Sequence, residues 1–291
     1  MKHLSRFMLT AILSLCVSAN AFAGQDEKNG KAYLTQAELP NMVYFLPPPP
    51  EFESGIFVAD QVRYLWGKKM RQNQERADMA IRDAVYGMNT IIQEFQGIFG
   101  LDITKEDTPE IYTIIQDVAC NCDSIGDPAK QKYMRWRPFM YYDEPTLVPE
   151  QEESHRTNGS YPSGHTCLGW IMGLLLSDIN PAAADALIMR GYEFGQSRVI
   201  AGYHWQSDVD AGRLGASVLY VKIKSHPRFV EQLAKAKAEF AEKTQGTGVK
   251  SVTRAQQEAP SRTYKLDGTP ATESSRGILI QNNQKYLRKW R

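Results

Sequence analysis

Helical spacing of apolar residues runs from about residue 56 to 243 with short interruptions, and no stretch there alternates as a half-buried strand does. The pattern predicts helices over roughly 56–70, 74–99, 108–122, 127–136, 164–178, 181–200, 204–223 and 227–243. Thr108-Pro109 and Asn180-Pro181 each set a capping side chain before a proline at the first helical position. The run Leu168–Leu176 carries no charge and reads as a helix buried on all sides. Gly212 and Gly215 open a face on which a neighbouring helix can approach closely. The expected fold is therefore all-α, a single compact multi-helix bundle over residues 56–245, without internal repeats.

The two ends have other characters. Lys2 and Arg6, an apolar stretch from Phe7 to Val17 and Ala21-Phe-Ala23 make residues 1–23 a signal peptide, cleaved before Gly24. Its apolar core is too short to anchor in a bilayer, and no later segment holds the ~18 consecutive apolar residues of a membrane span. Residues 24–55 are turn-rich and end in Pro47–Pro50, an expected extended arm laid over the domain. Residues 246–291 carry a basic excess with few apolar positions before Ile278, and read as a disordered, solvated tail. A sharper reading makes that tail a basic arm for anionic surfaces, with Trp290 at the interface.

The 34 Lys and Arg residues meet 33 Asp and Glu, and removing residues 1–23 takes away only Lys2 and Arg6, leaving 32 against 33. Such neutrality speaks against general nucleic-acid binding. Of the four cysteines, Cys120, Cys122 and Cys167 lie beyond the leader, an odd number that reads as buried thiols. The sequence leaves a homo-oligomer open.

Chemistry concentrates in three clusters: Lys130 with Arg137-Pro138, then Gly159-Ser-Tyr-Pro-Ser-Gly-His165, then Ser197-Arg198 with His204 and Asp208. Arginine keeps its proton and offers a planar fork of donors, so Arg137 and Arg198 suit phosphate, with Lys130 as a point charge. A spacing of seven positions from Lys130 to Arg137 would put both on one helix face, while Pro138 moves Arg137 to a helix end. Amides of Ser163, Gly164 and His165 would lie at the positive end of the following helix. His204 and Asp208 stand one helical turn apart, so the carboxylate can hold one imidazole nitrogen as N–H and leave the other to attack.

Each piece has a plainer reading. Paired cations are usually a solvated face, His-x-x-x-Asp also suits two metal ligands, and Gly-Ser-Tyr-Pro-Ser-Gly is an ordinary turn-rich loop. Their co-occurrence outweighs these.

The order Lys-x6-Arg-Pro, Pro-Ser-Gly-His, Ser-Arg-x5-His-x3-Asp resembles the three-part signature of the type-2 phosphatidic acid phosphatase and vanadium haloperoxidase superfamily. Residues 159–166 and 202–213, with Leu46-Pro-Pro-Pro-Pro50 and Arg190–Gly195, are similar to the bacterial class A non-specific acid phosphatases, a family with periplasmic apyrases. The resemblance covers roughly residues 40–240 and implies the helical fold of that superfamily. It implies His204 as nucleophile through a phosphohistidine, Asp208 orienting it, and His165 as general acid. Lys130, Arg137, Ser163, Gly164 and Arg198 would bind the phosphoryl oxygens, with no metal and no cofactor.

The expectation is thus an exported, metal-independent acid phosphatase, a phosphoric monoester hydrolase acting on small phosphate esters, with nucleotides among the substrates left open. It would be periplasmic or secreted. Rival readings are an apyrase-like nucleoside di- and triphosphate hydrolase, a vanadate-dependent haloperoxidase and a phosphate-binding protein without turnover.

Overall fold

The computed structural model describes residues 30–245 throughout and, beyond them, only the backbone of 264–265, 277–281 and 284–288. The expected signal peptide lies outside the described residues. Twelve helices are formed among those described: α1 (Met42–Phe45), α2 (Phe57–Met70), α3 (Gln74–Arg82), α4 (Met88–Phe99), α5 (Pro109–Ile125), α6 (Asp127–Tyr133), α7 (Pro138–Tyr142), α8 (Glu152–Arg156), α9 (Gly164–Ile179), α10 (Ala184–Ala201), α11 (Gln206–Lys224) and α12 (Pro227–Gln245). The all-α bundle expected from the periodicity is the fold of residues 30–245.

Helix α9 lies at the centre. It buries Leu168, Ile171, Met172, Leu175 and Leu176 together with the start of the helix at His165 and Thr166. Glycines set its distance to the neighbours. A methyl group on Gly191 of α10 would stand 2.9 Å from the Gly169 carbonyl, and one on Gly212 of α11 would stand 2.7 Å from the Ser163 carbonyl. Backbone cannot yield as a side-chain tip can, so α10 and α11 approach α9 as closely as glycine allows. Of the two glycines read as contact points, Gly212 meets the start of α9, while Gly215 faces the Met42 side chain of α1.

The first segment packs on this core through Tyr33, Leu34, Met42 and Leu46, all buried. The Tyr33 amide donates to Asn121 Oδ1 at 2.8 Å, and Tyr161 donates its hydroxyl to the Pro47 carbonyl at 2.6 Å. Cys120, Cys122 and Cys167 form no disulfide among the described residues.

Three differences from the sequence expectation matter. The helix expected over 74–99 is two, broken at Asp83–Gly87, where Gly87 adopts φ 155° and Asp83 serves partners on another helix. The helix expected over 127–136 ends at Tyr133, because Met134 takes φ 41° and turns the chain. The tail, expected to be disordered, forms a unit of its own, Gln245–Arg291. It contains an antiparallel sheet of β1 (Tyr264–Lys265), β2 (Gly277–Gln281) and β3 (Gln284–Arg288) in the order β1-β2-β3. Gly277 pairs with Arg288 and Ile280 with Lys285, so Ile278, Ile280 and Tyr286, residues that favour extended backbone, lie within paired strands.

Candidate active site

Four segments carry the chemistry. They are the stretch from α6 to α7, the loop into α9, the last turn of α10 and the connection into α11.

Lys130 sits on α6, and Arg137 caps α7 in extended backbone (ψ 158°), as the following proline favours. The two cations do not share a helix face, since α6 stops between them. They meet because Met134 turns the chain and both reach the Gly159 carbonyl, Lys130 Nζ at 2.9 Å and Arg137 Nη2 at 3.5 Å. Arg137 is 1 % exposed and also donates to the carbonyls of His155, Asn158 and Tyr203.

Arg198 differs from Arg137 in one decisive way. It is 0 % exposed, and none of its three guanidinium nitrogens has a hydrogen-bond partner among the described residues. The Tyr203 ring lies 4.6 Å from its guanidinium carbon. Burial lowers its pKa to about 10, and burial together with Arg198 lowers that of Arg137 to about 9. Burial, then Arg137, brings Lys130 down to about 7. Arg198, buried with donors that lack acceptors among the described residues, beside the cations Arg137 and Lys130, makes a built receptor for a multivalent oxyanion.

The start of α9 adds neutral donors. Ser163 is the N-cap, its Oγ accepting from Thr166 Oγ1 at 2.9 Å, which leaves its own hydroxyl proton available. The Ser163 amide, expected to face an anion, donates instead to the Asp208 carbonyl at 3.0 Å. Gly164 and His165 remain as first-turn amides at the positive helix end.

His204 and Asp208 do not share a helix turn. His204 precedes α11, brought back over the end of α10 by Gly202 at φ 90°, with its amide on the Arg198 carbonyl at 3.3 Å. Asp208 lies in the first turn of α11 and reaches back, accepting from the Trp205 amide at 2.8 Å. His204 Nδ1 is 3.5 Å from Asp208 Oδ2 and 3.3 Å from Ser160 Oγ, which itself donates to Asp208 Oδ2 at 2.5 Å. Since a carboxylate only accepts, this chain fixes the proton on Nδ1 and leaves the Nε2 lone pair, 3.1 Å from Arg137 Nη1. Burial and the cations Arg137, Lys130 and Arg198 hold His204 well below the usual histidine range.

His165 is also held well below it, by burial first and Arg198 next. Its Nε2 is 3.0 Å from the Ala84 carbonyl, and the ring packs edge-on against Tyr86. Nε2 therefore carries a proton and Nδ1 is the nitrogen left for exchange.

The eight candidates from the sequence, Lys130, Arg137, Ser163, Gly164, His165, Arg198, His204 and Asp208, thus converge. Arg135 was missed. Its buried guanidinium bridges Asp208 Oδ1 at 2.6 Å and Asp60 Oδ2 at 2.9 Å, and Asp60 in turn takes the Ser207 amide at 2.8 Å. Ser160 was visible inside its motif but read as a turn residue. Among the described residues no three His, Cys, Asp or Glu side chains gather as a metal donor set.

Residues 112–230 match the PAP2 superfamily. The chain is 42% identical over 243 residues to a non-specific acid phosphatase of Providencia stuartii, covering 82% of this chain and 98% of that one. A non-specific acid phosphatase of Salmonella typhimurium is 39% identical over 204 residues, 70% of this chain and 81% of its own. An acid phosphatase of Zymomonas mobilis is 32% identical over 174 residues, 60% of this chain and 65% of its own.

Proposed function

The chain belongs to the PAP2 superfamily and is an acid phosphatase, a phosphoric monoester hydrolase, and on that premise we propose that it works through a phosphohistidine on His204 Nε2. Arg137 Nη1 faces that nitrogen at 3.1 Å. A phosphoryl group entering the cradle takes over the Arg137 donor and meets the lone pair. Lys130, Arg137, Arg198, the Ser163 hydroxyl and the Gly164 amide hold the equatorial oxygens, where the charge of the transition state is spread.

Nε2 attacks phosphorus as the bond to the leaving oxygen breaks, and that oxygen takes a proton from His165 Nδ1. His165 must enter as imidazolium, which burial and Arg198 oppose; the substrate's negative charge offsets the cations and raises its proton affinity. In the second step water attacks phosphorus, His165 Nδ1 takes the proton, and the N–P bond breaks to release phosphate. Asp208, held by Arg135, Ser160 and the Trp205 amide, stabilises the imidazole cation carried by phosphohistidine. Metal is absent from this scheme because fixed cations serve the phosphoryl oxygens.

One observation carries the reading above the rest: Arg198, fully buried with three unpartnered nitrogens beside the His204 site. Export belongs to the same proposal, resting on residues 1–23; no described helix is long and apolar enough to cross a membrane. Quenching in alkaline denaturant during turnover of a radiolabelled phosphate ester should leave acid-labile, base-stable label on His204. His204→Ala should lose both label and turnover while remaining folded. Vanadate should compete with substrate, and a chelator should change nothing. Label on another residue, or turnover persisting in the folded variant, refutes the nucleophile; activity lost to a chelator and restored by zinc or magnesium refutes the metal-free scheme.

A further inference from the structure

His155 lies outside the signature clusters yet beside the site. It sits on α8, and its main-chain carbonyl accepts from Arg137 Nε at 3.2 Å, which ties the short helix to the cation cluster. Its ring packs on Tyr203 with centroids 4.9 Å apart, and the same Tyr203 ring carries the Arg198 guanidinium. The imidazole is thus one aromatic ring away from the cradle. Unlike His165 and His204 it is only partly buried, placing it at the rim rather than the floor.

The orientation of its protons follows from its partners. Nδ1 is 2.7 Å from the Gln151 carbonyl, which can only accept, so Nδ1 carries the proton. Ser154 Oγ, 3.2 Å from the same nitrogen, donates to that carbonyl as well. Nε2 has no protein partner among the described residues. Burial, followed by Arg137 and Arg198, lowers the pKa of His155 to about 3, so the ring stays neutral in the working range and Nε2 is an acceptor.

That makes it the odd group of this site. Lys130, Arg137, Arg198, the Ser163 hydroxyl and the Gly164 amide all offer protons, which suits phosphoryl oxygens. A rim acceptor serves nothing on a phosphate dianion. It serves a hydroxyl on the group that leaves.

Building on the phosphatase reading, we propose that His155 is a specificity-determining residue whose Nε2 accepts a hydrogen bond from a leaving-group hydroxyl, favouring phosphate esters of polyols and sugars over plain alkyl esters. A site that hydrogen-bonds a substrate hydroxyl disfavours the analogue lacking it, because that bond is not made; at a partly exposed rim the effect is that of one hydrogen bond.

Glycerol phosphate with the ester on a terminal carbon, compared with n-propyl phosphate, tests this. The two share a three-carbon chain and need comparable help from the general acid, and differ in their hydroxyls. The wild type should prefer glycerol phosphate in kcat/KM. His155→Phe should cost that substrate about three- to tenfold, the value of one hydrogen bond, and leave n-propyl phosphate within about twofold. His155→Gln, which can present an acceptor oxygen, should recover part of the loss. The main-chain carbonyl that holds Arg137 survives both changes, so para-nitrophenyl phosphate turnover and the His204 label should persist. No preference in the wild type, or equal losses on both alkyl esters, overturns the role of His155 and leaves the phosphatase mechanism standing. Loss of the His204 label in the wild type itself would instead sink the mechanism.

Discussion

Replacing Arg198 by methionine should make the ligand-free protein more stable and the enzyme nearly inactive. The guanidinium is fully buried and unpartnered, and its pKa falls from 12.5 to about 10. That difference corresponds to about 3 kcal/mol by which the fold disfavours the charge, at ~1.36 kcal/mol per unit. Methionine removes the charge and keeps most of the length. It forfeits the contact with the Tyr203 ring, worth about 1–2 kcal/mol when desolvated. The net expectation is a gain of about 1–2 kcal/mol, or roughly 2–4 °C in Tm per kcal/mol for a domain of this size. Phosphate should invert the order. At a hundred times its Kd it adds about 2.7 kcal/mol to the wild type, and the variant should lose most of that gain. Meanwhile kcat/KM should drop at least about 10³-fold, since a preorganised transition-state contact is lost. Thermal unfolding with and without phosphate, beside initial rates on para-nitrophenyl phosphate, measures all three. If Arg198→Met is destabilising by several kcal/mol in phosphate-free buffer, the charge is compensated in the resting fold and the oxyanion-receptor reading fails.

Other consequences follow from the same geometry. Arg135→Met removes the cation that the buried Asp208 and Asp60 share and should cost about 3–5 kcal/mol in urea unfolding, while Arg135→Lys should fold and lose kcat more than KM; unchanged kcat in Arg135→Lys would show that the bridge has no bearing on His204. Stability of the phosphate-free protein should fall with acidification: the native pKa values of His155, His165 and His204 lie below the unfolded value near ~6.5, so the unfolded chain binds more protons from about pH 6.5 downward. Lys130, native pKa about 7, acts in the same sense between there and its unfolded value near ~10.4. A phosphate-free stability curve that rises from pH 8 to pH 5 contradicts this. His165→Ala should cost alkyl phosphates far more than para-nitrophenyl phosphate, whose leaving group departs unprotonated; equal losses would reduce His165 to a binding residue.

The sequence exposed what is local. Apolar periodicity located most of the long helices, since a buried helix such as α9 or α10 must repeat its apolar face; Pro109 marked the start of α5 because proline tolerates the first turn, whereas Pro181 opens a 3-10 turn before α10, and neither Thr108 nor Asn180 caps with its side chain. The eight signature residues were legible because their order and spacing are kept in one stretch. Geometry was not. Lys130 and Arg137 meet through a turn at Met134, and His204 stands before α11 rather than on it. Arg135 stayed hidden because its partners Asp60 and Asp208 lie 75 and 73 residues away in the chain, and a lone arginine gives no sign of a buried bridge. The break at Asp83–Gly87 is made by tertiary partners, since Asp83 binds Ser197 and Arg190 of α10. Helical pattern alone continues through it.

That break has a practical meaning for anyone altering the enzyme. A short connection between two helices is the usual place to insert a tag or exchange a loop. In this chain the Ala84 carbonyl holds the imidazole of His165, Tyr86 lies against its ring, and Asp83 takes the Ser197 hydroxyl next to Arg198. One added residue would detune proton delivery and the arginine together. Val85, 55% exposed, is the side chain of this connection most open to solvent. It is the attachment point for a reporter dye: one residue from the carbonyl that sets His165, it can follow substrate arrival without touching the groups that act on it.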